Sequence, residues 1–259
     1  MELFHRRGKD TVETGPDKGA IPLEGGRVTP GVVRIGDTVR RPRSSASPFV
    51  AALLSLLEER GYPGAPRYLG RDASERDIFT FVPGWVPRRL RPWSDAQIAA
   101  AAGLARALHD TTHGNPLTGR HPVVCHHDLG PNNTVFQASA PIAFIDFDQA
   151  APGRPLEDLG YMAWLWCVSS KAQAPPVQAQ AAQVRVLADA YGLTGPERGT
   201  LVDAMLERQE RNVRFWQRAW ERTDTVETTA EQIGDRIVWS RREQAYTLRF
   251  RRVFESVLG

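Results

Sequence analysis

Val123-Val124-Cys125-His126-His127-Asp128-Leu129-Gly130-Pro131-Asn132-Asn133-Thr134-Val135-Phe136, followed after a turn at Ala138–Pro141 by Ile142-Ala143-Phe144-Ile145-Asp146-Phe147-Asp148, decides the reading of this 259-residue chain. Gly130-Pro131 forbids a helix through the first block, because proline lacks an amide donor and clashes with the preceding turn. His126 to Asn133 therefore reads as a loop. Thr134–Gln137 and Ile142–Ile145 read as strands of equal length. Paired as an antiparallel hairpin with Gln137 opposite Ile142, they set Asn133 opposite Asp146. An amide oxygen and a carboxylate then stand side by side at one end of the hairpin. Two hard oxygen donors on a fixed scaffold suit Mg²⁺, which keeps its other positions for water and phosphate. Asp128, five residues before Asn133, enters the same corner as a carboxylate able to accept the proton of an attacking hydroxyl. Phosphoryl transfer asks little more of a protein than positioning, charge neutralisation and an oriented nucleophile.

Upstream of this stretch the chain reads as β-rich. Gly31–Ile35 and Thr38–Arg41 flank the turn pair Gly36-Asp37, a hairpin signal. Helical periodicity runs from Pro48 to Arg60, with Phe49, Ala52, Leu53, Leu56 and Leu57 on one face, and Gly61 and Pro63 stop it. Two further strands are expected at Arg67–Gly70 and Asp77–Val82. Pro83-Gly84 then breaks the pattern. Beyond Gly84, outside the decisive stretch, the chain reads as mainly helical. Ser94 with Gln97 is a capping-box signature, ahead of a buried stripe of Ile98, Ala101, Ala102, Ala105 and Leu108. Thr194 with Glu197, and Thr228 with Glu231, predict two more starts and long helices over about 196–222 and 229–257. The outline is an α+β chain: a lead-in over 1–20, a small lobe over 21–83 and a larger helical lobe over 84–259.

His126-x-Asp128-x-x-x-x-Asn133 followed by Ile145-Asp146-Phe147 resembles the catalytic loop and metal motif of aminoglycoside phosphotransferases and choline-kinase-like enzymes, a protein-kinase-like two-lobed fold. The resemblance implies that Asp128 is the catalytic base, that Asn133 and Asp146 hold Mg²⁺, and that His126 braces the loop. Gly153 to Leu159 resembles the helix start that follows the metal aspartate, where Asp158 would anchor the loop. Leu108-His109-Asp110 resembles the helix end ahead of the catalytic loop. Thr80-Phe81-Val82-Pro83-Gly84 falls where the lobes join, and the resemblance implies that Phe81 and Val82 offer backbone groups to the adenine of ATP or GTP. An interlobe linker without a docked base is the other reading of that segment. Gly25 and Gly26 in Leu23–Arg27 read either as a phosphate cover or as an ordinary turn. The implied partners are a nucleotide and a small hydroxylated acceptor, antibiotic-like in the resembling enzymes.

The chain also departs from that pattern. It has no lysine between Lys18 and Lys171, and the strand where a phosphate-holding lysine belongs reads Val39-Arg40-Arg41. Arg41 shares a face with Val39, which makes it the candidate replacement. The helix over Pro48–Leu57 carries no acidic residue, so the usual lysine–glutamate pair is missing. With no glutamate to neutralise it, Arg41 is expected to meet the nucleotide. These departures keep a second reading open: a weakly catalytic or non-catalytic nucleotide-binding immunity or resistance protein that sequesters a compound or peptide. The N-terminal pattern is also similar to proteins described as toxin-immunity or generic phosphotransferases. A zinc site from Cys125, His126 and His127 is disfavoured, since three adjacent residues do not readily face one metal and no distant ligand pair is evident.

Bulk properties narrow the classes. No apolar run approaches the roughly 18 residues of a membrane helix; Leu159–Val168 is the longest candidate. Met1–Gly19 has no apolar segment of a secretory signal. Two cysteines are too few for a disulfide framework, and a reduced, cytoplasmic setting is expected. A net charge of +3 makes no case for nucleic acid. Acidic and basic residues balance from Leu156 onward, against a strongly anionic pocket, and the C-terminal arginines are interleaved with Glu231, Asp235, Glu243 and Glu255 as on a solvated helix face. Phe215, Trp216 and Trp220 are expected mostly in the core, with one of them a candidate to line a substrate pocket.

Overall fold

The computed structural model describes residues 19–23, 31–87, 91–221 and 228–259. Gly25 and Gly26 lie outside them. The first part is a five-stranded antiparallel sheet of β1 (Ile21–Pro22), β2 (Val33–Ile35), β3 (Thr38–Arg41), β4 (Tyr68–Arg71) and β5 (Asp77–Thr80), in the spatial order β1-β2-β3-β5-β4. The β2–β3 hairpin pairs Ile35 with Thr38, so Gly36-Asp37 is its two-residue turn, and Gly36 takes the positive φ of 58° that such a turn needs. Helix α1 (Ser47–Glu59) has proline in its first turn, where a missing amide costs nothing. It buries Val50, Leu53, Leu54 and Leu57.

The second part is mainly helical. Helix α2 (Asp95–Thr112) opens on the capping box: Gln97 N donates to Ser94 Oγ at 3.3 Å and Ser94 N to Gln97 Oε1 at 3.1 Å. Two small antiparallel pairs come next, β6 (Val123–Cys125) with β9 (Ala151–Gly153) and β7 (Thr134–Gln137) with β8 (Ala140–Phe144). Helix α3 (Pro155–Met162) runs into a π-helical turn at Ala163–Cys167. The remaining helices are α4 (Val177–Tyr191), α5 (Gly195–Gly199), α6 (Leu201–Glu221), α7 (Ala230–Arg249) and α8 (Arg251–Ser256). One apolar core joins both parts: Leu53 and Leu57 of α1 belong to the same cluster as Ile98 and Leu108 of α2, Phe136 of β7, Phe144 of β8 and Phe254 of α8. Full burial of each such side chain contributes about 1.5–3 kcal/mol, so the two lobes are not independent bodies.

The linker crosses at Gly84. Its φ is 152°, and a Cβ there would clash with the Phe136 carbonyl oxygen. Only glycine allows Trp85 to exchange backbone hydrogen bonds with Phe136, at 2.9 and 2.8 Å. A second close approach is at Gly160, whose Cβ would lie 2.5 Å from the Ala204 carbonyl. Helices α3 and α6 therefore pack backbone to backbone, which carries the next turn of α6 toward the loop of residues 126–133.

Four expectations need correction. The β7–β8 hairpin sets Gln137 opposite Ala140 and Phe136 opposite Pro141, with a bulge that leaves Ile142 unmatched. Asn133 consequently faces Ile145, whose N–H donates to its carbonyl at 2.9 Å, and not Asp146. The last long helix is capped by Thr229 with Gln232 in place of Thr228 with Glu231. Both long C-terminal helices are broken, at Thr200 and at Phe250, and the second break turns α8 so that Phe254 enters the core. Of the three aromatics expected inside, only Trp216 is buried; Phe215 and Trp220 are about half exposed. No helix among the described residues is long and apolar enough to cross a membrane.

Candidate active site

The loop after β6 is held from below by one buried carboxylate. Asp158 sits in the first turn of α3, fully enclosed. Its Oδ2 accepts from the His126 amide at 2.8 Å and its Oδ1 from the His127 amide at 2.7 Å. His109 Nε2–H donates to Oδ2 at 3.0 Å, and Tyr191 Oη–H donates to His109 Nδ1 at 2.8 Å. Burial alone would raise this carboxyl; the His109 hydrogen bond and the surrounding histidines outweigh it and hold the pKa at about 2. A carboxylate with so many donors is an anchor with no capacity left for chemistry.

Above the anchor the backbone is bent into rare conformations. His127 has φ of 63° and Asp146 of 66°, left-handed values at two non-glycine residues flanking one corner. His127 is held by every polar group it has. Its ring Nδ1 meets Gln149 O at 3.1 Å, its Nε2 meets Glu157 Oε2 at 3.2 Å, and its carbonyl accepts from Arg208 Nη2 at 2.7 Å. The His127 contact comes first among the causes that bring Glu157 down to a pKa of about 2. His126 is buried and braces the loop: the Asp128 amide donates to its Nδ1 at 3.3 Å, and its Nε2–H donates to Ile145 O at 3.1 Å. It thereby ties the loop before Asn133 to the strand end before Asp146.

Asp128 is gripped at both oxygens. Tyr161 Oη–H donates to Oδ1 at 2.7 Å and Asn133 Nδ2 to Oδ2 at 2.6 Å. Burial is the main cause that raises its pKa above the ordinary aspartate value, and the Tyr161 hydrogen bond opposes it. A carboxylate of raised basicity with a fixed orientation is what proton acceptance from a hydroxyl requires. Asn133 spends Nδ2 on Asp128 and its Oδ1 accepts from Asn132 Nδ2 at 3.2 Å, so one lone pair of Oδ1 is left for a cation. That amide oxygen and the half-exposed Asp146 carboxylate are hard donors, and they fit Mg²⁺.

Arg41 of β3 reaches the same corner. Its Nη1 donates to Asp146 Oδ1 at 3.0 Å and its Nη2 to Asp148 Oδ2 at 2.5 Å. Arg40 points to the other face, onto Thr38 Oγ1 at 2.6 Å and Asp72 at 3.7 Å. The expectation that no carboxylate neutralises Arg41 is therefore corrected. The carboxylates come from the Asp146-Phe147-Asp148 segment, 105 and 107 residues away in sequence, and not from helix α1. Asp148 is raised, by burial first, with Arg41 opposing and Asp146 and Asp77 adding. At the linker, the Phe81 amide is spent on Asp37 O at 2.8 Å. Among the described residues nothing bonds the Val82 amide.

Sequence reasoning missed Tyr161 and Arg208. Tyr161 lies one helical turn beyond Asp158, so i,i+3 spacing from the anchor could have flagged it. Arg208 has no local signal; it arrives through the Gly160–Ala204 approach. His109, Cys125 and Asp158 cluster closely enough to suggest a metal. Yet Asp158 is saturated, and Cys125 Sγ–H donates to Arg154 O at 3.2 Å with a thiol pKa pushed far up by burial.

The model of the phosphotransferase enzyme family matches residues 84–202. A trifolitoxin immunity protein of Rhizobium leguminosarum bv. trifolii is 29% identical over 257 residues, covering 91% of this chain and 97% of that protein. Among solved structures, a choline/ethanolamine kinase family protein from Mesorhizobium loti aligns with a TM-score of 0.62 at 17% identity, covering 96% of this chain and 94% of that one. The gentamicin complex of APH(2")-IIa aligns at 0.58 and 14% identity, covering 87% of this chain and 91% of that one. The α+β, kinase-like fold and the resemblance to aminoglycoside phosphotransferases and choline-kinase-like proteins both stand.

Proposed function

We propose that this chain is a small-molecule phosphotransferase that moves the terminal phosphoryl group of ATP or GTP to a hydroxyl. The observation that carries the reading is the Asp128 carboxylate, fixed between Tyr161 and Asn133 and directed into the corner that Asp146 completes. Asp128 takes the proton of the acceptor hydroxyl. The freed oxygen bonds to the terminal phosphorus as the bond to the bridging oxygen breaks, and a nucleoside diphosphate leaves. Asn133 Oδ1 and Asp146 would hold Mg²⁺, which when bound neutralises phosphate charge. Asn133 also orients Asp128, and His126 keeps the two halves of the corner in register. Arg41 is the cation nearest the place of the missing lysine and can pass from the aspartates to nucleotide phosphates. Val82, with its amide free, is the backbone group offered to the base at the linker. Gly25 and Gly26 keep their role as a candidate phosphate cover. The lobe boundary falls at Pro83-Gly84 in this reading, and the acceptor is a small molecule.

Asp128→Asn should keep the fold and reduce transfer by orders of magnitude, since orientation survives and proton acceptance does not. Wild-type turnover in that variant would remove Asp128 as the base. A second reading is favoured by Arg41 lying on Asp146, by the absent lysine–glutamate pair and by the immunity-protein relative. In it the protein binds nucleotide, or a toxic compound or peptide, without efficient transfer. Thermal-shift titration with ATP, GTP and Mg²⁺ tests the binding that the first reading requires, and turnover of bound nucleotide separates the two. A ligand at a hundred times its dissociation constant stabilises by about 2.7 kcal/mol. No shift with either nucleotide would remove the phosphotransferase reading and leave sequestration.

A further inference from the structure

Next to Asp128 stands a cluster of cations and aromatic rings. Tyr161 gives its hydroxyl to Asp128 and turns its ring face to Arg208, whose guanidinium carbon lies 4.9 Å from the ring centroid. Trp164 meets the same ring edge-on at 5.9 Å. Arg236 of α7 covers the face of Trp216 at 4.3 Å and is near enough to Tyr161 to act on its phenol electrostatically. Arg208 is 8% exposed, and its hydrogen-bond partner among the described residues is a backbone carbonyl, His127 O, with no carboxylate. Of its five N–H groups one, on Nη2, meets an acceptor among the described residues, His127 O, and Nε is buried without a partner there. Trp164 Nε1 is likewise a buried donor with no acceptor. A guanidinium so enclosed is costly unless an anion completes it.

We infer that the site beside Asp128 takes a small hydroxy acid, with its carboxylate on Arg208 and its hydroxyl at Asp128, and rejects cationic alcohols. That its hydroxyl is a phosphoryl acceptor rests on the phosphotransferase reading; the anion site on Arg208 does not. Two observations argue against a cation. An aromatic face can hold an ammonium group, but one face of Tyr161 and one of Trp216 are already occupied by guanidinium groups. A polycation also needs a surplus of carboxylates, and besides Asp128 the charges that act on Tyr161 are the guanidinium groups of Arg208 and Arg236. The two recognition points are one phenol ring apart, because Asp128 binds the hydroxyl and Arg208 the face of the same Tyr161. A carboxylate and a hydroxyl on one small skeleton span that interval. Arginine is the suited partner, since its planar fork matches a carboxylate.

The test is ligand-observed NMR on the full chain with five probes: glycerate and glycolate as anions, glycerol as the neutral control, choline and gentamicin as cations. The wild type should bind glycerate or glycolate saturably and show no binding of choline or gentamicin. Arg208→Gln should weaken the anion at least about tenfold, the size of one lost charge-assisted hydrogen bond. Arg208→Lys should recover part of that loss, which an effect through His127 O alone would not separate from glycerol. If Arg208→Gln does not fold, Arg236→Gln should reduce anion binding by a smaller factor with the fold intact. Binding of choline or gentamicin to the wild type overturns the inference. So does anion binding unchanged in the variants, or no binding of either carboxylate. Nucleotide titration is run separately. Glycerate binding without any nucleotide shift would sink the phosphotransferase reading and leave the anion site standing.

Discussion

Two groups of carboxylates flank the loop of residues 126–133, and they are built in opposite ways. Asp158 is enclosed, accepts from two backbone amides and a histidine, and joins α2, α3, α4 and the loop into one unit. Asp146 and Asp148 stand across the corner with side chains 39% and 24% exposed, held chiefly by one arginine from the other lobe. The first group has all its valence committed within the fold. The second is held by ion pairs that water and phosphate can compete for. The proposed function needs both, since a base must be rigid while the groups that meet a nucleotide must be able to exchange partners.

The sharpest way to break this contrast is to remove the anchor. Asp158→Ala leaves His109 and two amides without an acceptor and should cost about 3–5 kcal/mol, the range for breaking a buried charged network. Urea denaturation measures it, and a loss within about 1 kcal/mol, the size of an exposed pair, would erase the distinction. The acid limb of stability should show the same asymmetry. Asp158 has a folded pKa of about 2 against 3.8 for the free side chain. Its contribution, about 2 kcal/mol, is present above the unfolded value and is lost as pH falls from about 4 toward 2. Glu157, also lowered to about 2, adds in the same direction. Asp158→Asn should flatten this limb in thermal unfolding followed against pH.

Tyr161 stands between the two groups, and Tyr161→Phe should show an intermediate effect. It removes one hydrogen bond to a charged acceptor, worth about 1.5 kcal/mol in stability. Turnover should fall about tenfold for a comparable loss at the base, with KM for nucleotide unchanged. At the exchangeable end, Arg41→Ala should cost about 1 kcal/mol or less, because its ion pairs are partly open to solvent. Nucleotide affinity by calorimetry should drop more for Arg41→Ala than for Arg40→Ala, whose side chain lies on Asp72. Equal affinities in the two variants would end the case for Arg41 as the phosphate-holding cation.

Local chemistry was enough to find the strands at Thr38–Arg41 and Asp77, the Ser94 capping box, the Gly130-Pro131 loop and the face that Arg41 shares with Val39. Each of these depends on a few neighbouring residues. The hairpin register was not readable at that range. A bulge at Ile142 shifts the pairing of every residue on one side of it, and nothing in the strand composition marks it. The exposure of Phe215 and Trp220 escaped for a related reason: an aromatic on an amphipathic helix goes inside only if a partner covers that face.

By itself the sequence determined the succession of a β-rich part and a mainly helical part, the β2–β3 hairpin with its Gly36-Asp37 turn, and the presence of Asp128, Asn133 and Asp146 within one short segment. Turn chemistry, periodicity and spacing are local properties, and they are written residue by residue. Only the tertiary structure decided that Arg41 would lie on Asp146 and Asp148, that Tyr161 would grip Asp128, and that α6 would bring Arg208 onto the His127 carbonyl of the 126–133 loop. These are meetings between segments tens to a hundred residues apart, and they depend on how closely helices and sheets approach, as at Gly160 and Ala204.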